Sequence, residues 1–485
     1  MPQVADDLIQ TSSLSAFARG IRDTTFGEVG VQILRLGSLV LLARALSPHE
    51  FGPYRVLLAI SAFATLPGIS GVPDALIQRD HVDNAHASTG WWMSVALSML
   101  LAVALYIGAP FIADMMHMPE LKEGSRMLCI PIILEGASAV ASADLRRRMQ
   151  FGAVATAEVA AELAFAGVSI SLLMLGSGQW CLTGGLAARL SVHAIALTWL
   201  SGCLPRTKPT LTAARDIARF SATVLAGQGL LVASSNADYI IIGSMLGPSA
   251  LGIYGMAWDL LRFAPNRLHR VIVRVALPAF CRIKEDNKRL ADGYCRIVDS
   301  CSRAILPIAV CAAVAAPEIL GAVYGPHWVS AAVPMRLLAP GLALLGLRLA
   351  VGPVYYSKDR PGLDFWLHGL RLGLIVLTLS MVGRFGLATA SIAMSGVEGA
   401  ISILGQLMVC SIIGMSVSRL ISAAVPGFQL AVLAGVATYC GSGMVEFAGV
   451  GGWVGLGLVI VPAAMVIMLT QSGELRQIVR GVQAI

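Results

Sequence analysis

Runs of apolar residues, broken by short clusters of charged residues, glycine and proline, recur along the whole chain. They predict membrane-spanning helices at about 26–46, 54–73, 89–112, 125–143, 153–175, 180–203, 220–246 and 251–279. Six more follow at about 302–324, 333–356, 365–383, 386–413, 424–445 and 450–470. A hydrocarbon core about 30 Å thick takes roughly 20 helical residues at 1.5 Å each, so each run is long enough to cross. The pattern predicts an all-α polytopic membrane protein with about fourteen transmembrane helices. Abundant Gly, Ala, Ser and Pro inside the runs predict closely packed, kinked helices rather than lone anchors.

The polar breaks orient these spans. With the N terminus and every second loop on one side, that side holds 22 Lys and Arg, Arg371 among them beside Lys358 and Arg360. The opposite loops and their edges hold six: Arg44, Arg55, Lys122, Arg126, Arg336 and Arg384. Cytoplasmic loops carry the excess of basic residues, so both termini are expected in the cytoplasm. Residues 1–25, with Leu8, Ile9, Leu14 and Phe17 along one side, read as a cytoplasmic interfacial segment, and 473–485 as a cytoplasmic tail. Two early aspartates and the lack of an apolar core in this N-terminal stretch argue against a cleavable signal peptide.

Composition agrees. Of 485 residues, 56% are hydrophobic and 13% charged, and the mean hydropathy is +0.75. Soluble domains carry about 25% charged residues, which excludes a cytosolic enzyme, a disordered chain or a nucleic-acid binder. The net charge of +7 is then the ordinary surplus of basic loops. Nine scattered cysteines form no CxxC pair or Cys/His cluster, so neither a disulfide framework nor a metal site is expected.

One segment occurs twice. LARALSPHEFGPY (42–54) lies over IGSMLGPSALGIY (242–254) at an offset of 200 residues, sharing Leu46/Leu246, Pro48/Pro248, Gly52/Gly252 and Tyr54/Tyr254. Each copy sits where one span ends and the next begins, and six spans separate them. This predicts two like-oriented six-helix lobes, 26–216 and 217–420, followed by two extra helices over 421–472. Paired repeats of this kind build transporters that alternate access.

The turn ARALSPHEFGPY, its echo IIIGSMLGPSALGIY and the later run VALPAFCRI resemble the polysaccharide exporter branch of the MOP superfamily. That branch holds the Wzx-like lipopolysaccharide (O-antigen) and exopolysaccharide flippases; lipid II flippases and multidrug MATE antiporters are more distant relatives. The resemblance implies a MATE-like fold in the bacterial inner membrane. It implies an undecaprenyl-pyrophosphate-linked oligosaccharide as cargo, moved from the cytoplasmic to the periplasmic leaflet. It also implies essential basic residues in a central cavity, and a polysaccharide polymerase and chain-length machinery as possible partners.

Seven arginines fall inside spans: Arg35, Arg189, Arg262, Arg267, Arg270, Arg274 and Arg348. A basic group at the bilayer centre costs about 2.5–3.5 kcal/mol on insertion scales, so each needs water, a carboxylate or a ligand. Four are on the eighth span. Projected on an ideal helix, Asp259, Arg262, Asn266, Arg267, His269, Arg270 and Arg274 share one arc of about 160°, whereas Leu260, Leu261, Leu268, Val271, Ile272 and Val275 fall outside it. Pro265 is expected to kink this helix. Such a stripe belongs to an aqueous cavity; for Arg262 and Arg274, snorkelling to an interface is the alternative.

Guanidinium groups grip phosphate oxygens with a fixed fork of donors. The expected substrate-binding set is therefore Arg35, Arg262, Asn266, Arg267, Arg270 and Arg274. On the first span Glu28, Gln32 and Arg35 share a face, with a plain Glu28–Arg35 ion pair as the alternative. Under the repeat Glu28, Arg35 and Ser38 correspond to Gln228, Ser235 and Asp238, a second polar strip. Among carboxylates within or near spans (Glu28, Glu135, Glu158, Glu162, Asp238, Asp259, Glu318, Glu398), the ion-coupling candidates are Glu28, Asp238 and Asp259, for H+ or Na+. Glu158 and Glu162 are expected to be interfacial and structural. No other cofactor is expected.

Two further readings were weighed against the flippase. A MATE-type antiporter of drug cations fits poorly with a cationic stripe. A membrane polymerase or ligase enzyme fits poorly with short extracytoplasmic loops, about a dozen residues at 113–124, and with the lack of a GxSxG or HExxH motif.

Overall fold

The computed structural model describes residues 30–79, 81–203, 207–448 and 452–471; the expected N-terminal segment, Glu28 and the tail after 472 lie outside the described residues. The described backbone is nearly all helical and contains no strand. It divides into two compact units: the described residues of Met1–Leu46 with Pro53–Ala233, and those of Ser47–Gly52 with Ser234–Ile485.

The chain begins with helix α1 (30–45). There follow α2 Pro48–Ala64, α3 Leu66–Ile69, α4 Val72–Gln78, α5 Asn84–Met116, α6 Glu120–Met127, α7 Cys129–Arg147, α8 Phe151–Met174 and α9 Trp180–Ser201. Helix α10, Leu211–Arg282, runs through both units. The second unit continues with α11 Asn287–Val314, α12 Ala316–Val323, α13 Ala332–Leu347, α14 Val351–Ser357, α15 Pro361–Val382, α16 Leu387–Ile413, α17 Val417–Ala448 and α18 Gly452–Gln471.

Among the described residues ten helices are long and apolar enough to cross a membrane, or eleven when the bent pair Pro48–Ala64 and Leu66–Gln78 counts as one span. Helix α10 has 72 residues, and its backbone leaves helical geometry at Gly247, with φ 79° and ψ −178°. Seventy-two residues would rise about 108 Å, far more than a bilayer. The break therefore separates two spans, 211–246 and 248–282, as the apolar pattern predicts. The expected spans 26–46 and 450–470 fall partly on residues outside those described.

Three spans differ from the apolar reading. The predicted span 54–73 is bent by 49° after Ala64: Thr65 Oγ1 donates to the Ser61 carbonyl at 2.7 Å, and Pro67 opens the next turn. The predicted span 302–324 instead begins at Asn287, because Asp286 caps the helix by accepting from Lys288 and Arg289 N–H at 3.0 Å each. Its charged first turns are invisible to hydropathy. The predicted span 333–356 is interrupted after Leu347. The carbonyls freed there accept from Gln406 Nε2 (Leu347, 2.6 Å) and pair with His269 Nδ1 (Leu349, 3.3 Å), as a broken helix in hydrocarbon requires. Pro265, expected to kink its span, lies within continuous helical torsions.

In lipid, helices associate through close packing of small residues. Along α5 the buried positions Gly90, Ser94, Ser98 and Ala102 recur every fourth residue. They let α7 approach closely enough for Gly136 to meet Ser94 and Ser98. In the second unit, the repeated turns pack on one another. A Cβ at Gly52 would overlap the backbone of Pro248, and one at Gly252 that of Pro48. Beside them the buried rings of Phe51 and Trp328 meet edge-on, 5.0 Å apart.

The loops gather as their charge predicts. Arg147 donates to the Leu76 carbonyl at 2.6 Å. Thr207 and Thr210 N–H donate to Ser88 and Thr89 hydroxyls at 3.1 and 3.0 Å. In the second unit, Lys284 pairs with Asp359 at 3.0 Å, and the carboxylate beside it raises the Lys284 ammonium above its ordinary value. Within each unit, segments assigned to one membrane side thus meet at one end.

Asp83 caps α5, accepting from His86 N–H at 2.7 Å. That backbone bond, with help from the His86 side chain, holds its carboxyl below the usual value of 3.8. The cap's contribution is complete above that value and lost as pH falls through the lower folded one. In detergent, the wild-type melting temperature is expected to fall more steeply below pH 4 than that of Asp83→Asn, whose amide oxygen still accepts. Parallel pH curves for the two proteins would refute this.

Candidate functional site

On the second half of α10, Arg270 and Arg274 are exposed, as is Asn266, while Arg262, Arg267 and Asp259 are half-buried. Leu261, off the arc, is buried; Val271 and Val275, also off it, are exposed, so exposure is not confined to the stripe. Arg262 lies over the Trp258 ring at 5.5 Å and Arg267 over Phe263 at 5.4 Å. Among the described residues Arg270 has no carboxylate or ring partner, although it lies near the middle of its span. The opposite side of the same helix, through Leu260 and Leu261, borders an apolar cavity of about 310 Å³ completed by Ile308, Cys311, Thr438 and Val459.

Two of the three carboxylates expected to couple ions, Asp238 and Asp259, each accept a tyrosine hydroxyl. Tyr254 donates to Asp238 at 2.8 Å and Tyr239 to Asp259 at 2.6 Å. The two rings meet edge-on at 5.9 Å, so the carboxylates belong to one assembly. Asp238 is fully buried, and its second oxygen has no hydrogen-bond partner among the described residues. Arg262 and Arg371 carry the opposing charges that act on it.

Arg371 is a correction. Grouped by sequence with cytoplasmic loop charges, it lies inside α15 and is buried. Its Nε donates to Glu398 Oε1 at 3.0 Å, its Nη2 reaches the same oxygen, and its Nη1 takes the Ser234 carbonyl. Arg348, at the break after α13, reaches the other Glu398 oxygen at 3.4 Å. Arg55, placed by sequence at a loop edge, is likewise buried within α2.

The first unit carries a matching network. Arg35 pairs with Glu162 on α8, with its Nε at 3.1 Å, and Arg189 on α9 reaches the same carboxylate oxygen at 3.4 Å. Glu162 is buried and paired with two guanidiniums. Among the described residues Arg35 pairs with Glu162; the alternative partner Glu28 lies outside them.

Glu162 and Arg189 lie 27 residues apart on adjoining helices, and so do Arg371 and Glu398. Both positions are shifted by 209 residues, and the signs are exchanged. This repeat is invisible to residue identity because it keeps a paired charge at fixed spacing and reverses its polarity. Two charged residues in mid-span at equal separation in each half are the signal that could have revealed it.

Comparison with known proteins agrees with this architecture. A family model described as polysaccharide biosynthesis protein matches residues 41–333. The chain is 24% identical over 375 residues to the teichuronic acid biosynthesis protein TuaB of Bacillus subtilis (strain 168), covering 75% of this chain and 77% of that one. It is 25% identical over 360 residues to the succinoglycan biosynthesis transport protein ExoT of Rhizobium meliloti (strain 1021), covering 73% and 72%. Among solved structures its fold is similar to the lipid II flippase MurJ in an inward closed conformation. The TM-score is 0.75 at 12% identity, over 94% of this chain and 99% of that one.

Proposed function

This chain belongs to the polysaccharide biosynthesis protein family, and from that premise we propose that it is a flippase for lipid-linked glycan units. The cargo is an undecaprenyl-pyrophosphate-type lipid bearing an oligosaccharide. It moves from the cytoplasmic to the periplasmic leaflet of a bacterial inner membrane by alternating access, coupled to H+ or Na+, with no covalent step. Both termini lie in the cytoplasm, and a polymerase with its chain-length machinery uses the delivered units on the far side.

The observation that carries this reading is Arg270, exposed near the middle of a span with no carboxylate among the described residues to neutralise it. In hydrocarbon such a charge is costly unless water or an anion meets it. A pyrophosphate supplies that anion, and the guanidinium fork stays charged in a partly dry site. Arg267, Arg274 and Arg262 along the same helix, with Asn266, extend the contact. The apolar cavity behind Leu260 and Leu261 suits a prenyl chain. A carrier of drug cations would place carboxylates, not arginines, along this stripe.

A hydrogen bond to a charged group contributes about 1.5–3 kcal/mol. Arg270→Ala is therefore expected to lower export by roughly tenfold to a hundredfold, while Arg270→Lys keeps an intermediate level. The test is surface polysaccharide made by a deletion strain complemented with each variant, with membrane abundance measured in parallel. Normal polysaccharide from Arg270→Ala at normal abundance would remove the basis of the reading.

A further inference from the structure

In the first unit, α7, α8 and α9 carry a ladder of ionisable groups. Glu158 and Glu162 are one turn apart on α8, Arg189 and His193 one turn apart on α9, and Glu135 comes from α7. His193 Nδ1 lies 2.9 Å from Glu135 Oε1. Besides Glu135, the charges that act on His193 are Glu158 and Arg189. Glu162 takes up the next rung, with Arg189 and Arg35.

Three glutamates are buried among the described residues: Glu135, Glu162 and Glu398. Glu162 and Glu398 are held by arginines, which keep their protons at every accessible pH. Glu135 is paired with an imidazole, the one side chain whose unperturbed charge changes between about pH 5 and 8. The buried Arg55 of the same unit acts on Tyr54 together with Arg35, Arg189 and Glu162, so three glutamates and three arginines stand in this cluster, and a proton on His193 adds one positive charge to it.

We propose that Glu135 and His193 form a proton-binding site inside the membrane, linked to binding of an anionic lipid headgroup at Arg35 and Arg189. The imidazole gains the proton at Nε2 while Nδ1–H remains on Glu135, and no other bond is made or broken. The added positive charge strengthens attraction toward a diphosphate one to two helical turns away, in a medium where charges are poorly screened. Linkage is reciprocal: the bound anion tightens the proton by the same factor. The linkage half rests on the headgroup reading above; the proton site itself does not.

The test uses the full chain in lipid nanodiscs. The imidazole NMR signal missing from His193→Gln should titrate between pH 5 and 8.5, and its midpoint should fall in Glu135→Gln, an isosteric change. A signal locked in one form across that range would overturn the proton site. Undecaprenyl diphosphate serves as the second probe. Wild type is expected to bind it about tenfold more tightly at pH 5.5 than at pH 8, within the usual range of couplings. His193→Gln, matched for melting temperature, should retain binding and lose that excess. An equal pH ratio in both proteins overturns the linkage, the probe's own titration being common to them. No binding by wild type at either pH would sink the headgroup reading and the linkage together, leaving the NMR titration to decide the proton site.

Discussion

Gly252→Ala is expected to remove most of the folded protein from the membrane, and Gly52→Ala to do the same. Each added methyl is aimed at main-chain atoms of the opposing turn, Pro48 in one case and Pro248 in the other. A flexible side chain would move aside, but a proline-bearing turn does not. Relief requires the two turns to separate and to loosen the buried Phe51–Trp328 contact. Overpacking of this kind costs about 1–3 kcal/mol and more when the backbone is the obstacle, against a total stability of roughly 5–15 kcal/mol. Melting temperature in detergent and abundance in the membrane are the measurements. Gly108→Ala is the control, because nothing lies within 4 Å of a Cβ there. If Gly252→Ala matched Gly108→Ala in both, the close packing of the repeated turns would be wrong.

The other large effect is expected at Arg371 and Glu398. Removing one partner of a buried ion pair costs about 3–5 kcal/mol, because the other charge stays buried and unpaired. Arg371→Ala also releases the Ser234 carbonyl, leaving Glu398 only the longer contact with Arg348. Replacing both partners by leucine is expected to recover part of the loss. Exchanging them, Arg371→Glu with Glu398→Arg, copies the polarity of Glu162 and Arg189 yet is expected not to recover it. A carboxylate on α15 would face the Ser234 carbonyl, which can only accept, and a guanidinium on α16 would meet Arg348. Recovery of wild-type melting by the exchange would show that the surroundings are indifferent to polarity.

These two sites differ in how they could be read. Pro48, Gly52, Pro248 and Gly252 stand out as a repeat because a turn needs particular residue types at particular spacings, and this survives in the letters. That the copies touch, and that this contact is why the glycines recur, is visible only in three dimensions. Arg371 illustrates the opposite case. It lies inside the expected span 365–383, yet its charge groups it with the nearby loop residues Lys358 and Arg360, while its partners lie 27 and 137 residues away. The pairing of Glu162 is hidden from the sequence for the same reason, since Arg35 is 127 residues distant.

The linear order of residues by itself determined that the chain crosses a membrane many times and nearly where each helix lies. Hydrocarbon tolerates only backbone that bonds to itself, and every such helix must be apolar along about 20 positions. It also determined that arginines stand inside that apolar medium. The tertiary structure decided which of those charges are neutralised and which remain open. Among the described residues Arg35, Arg189, Arg348 and Arg371 meet carboxylates, Arg270 meets none, and Glu135 meets a histidine. Pairing depends on which helix faces come within about 4 Å, and packing, not local order, sets that distance.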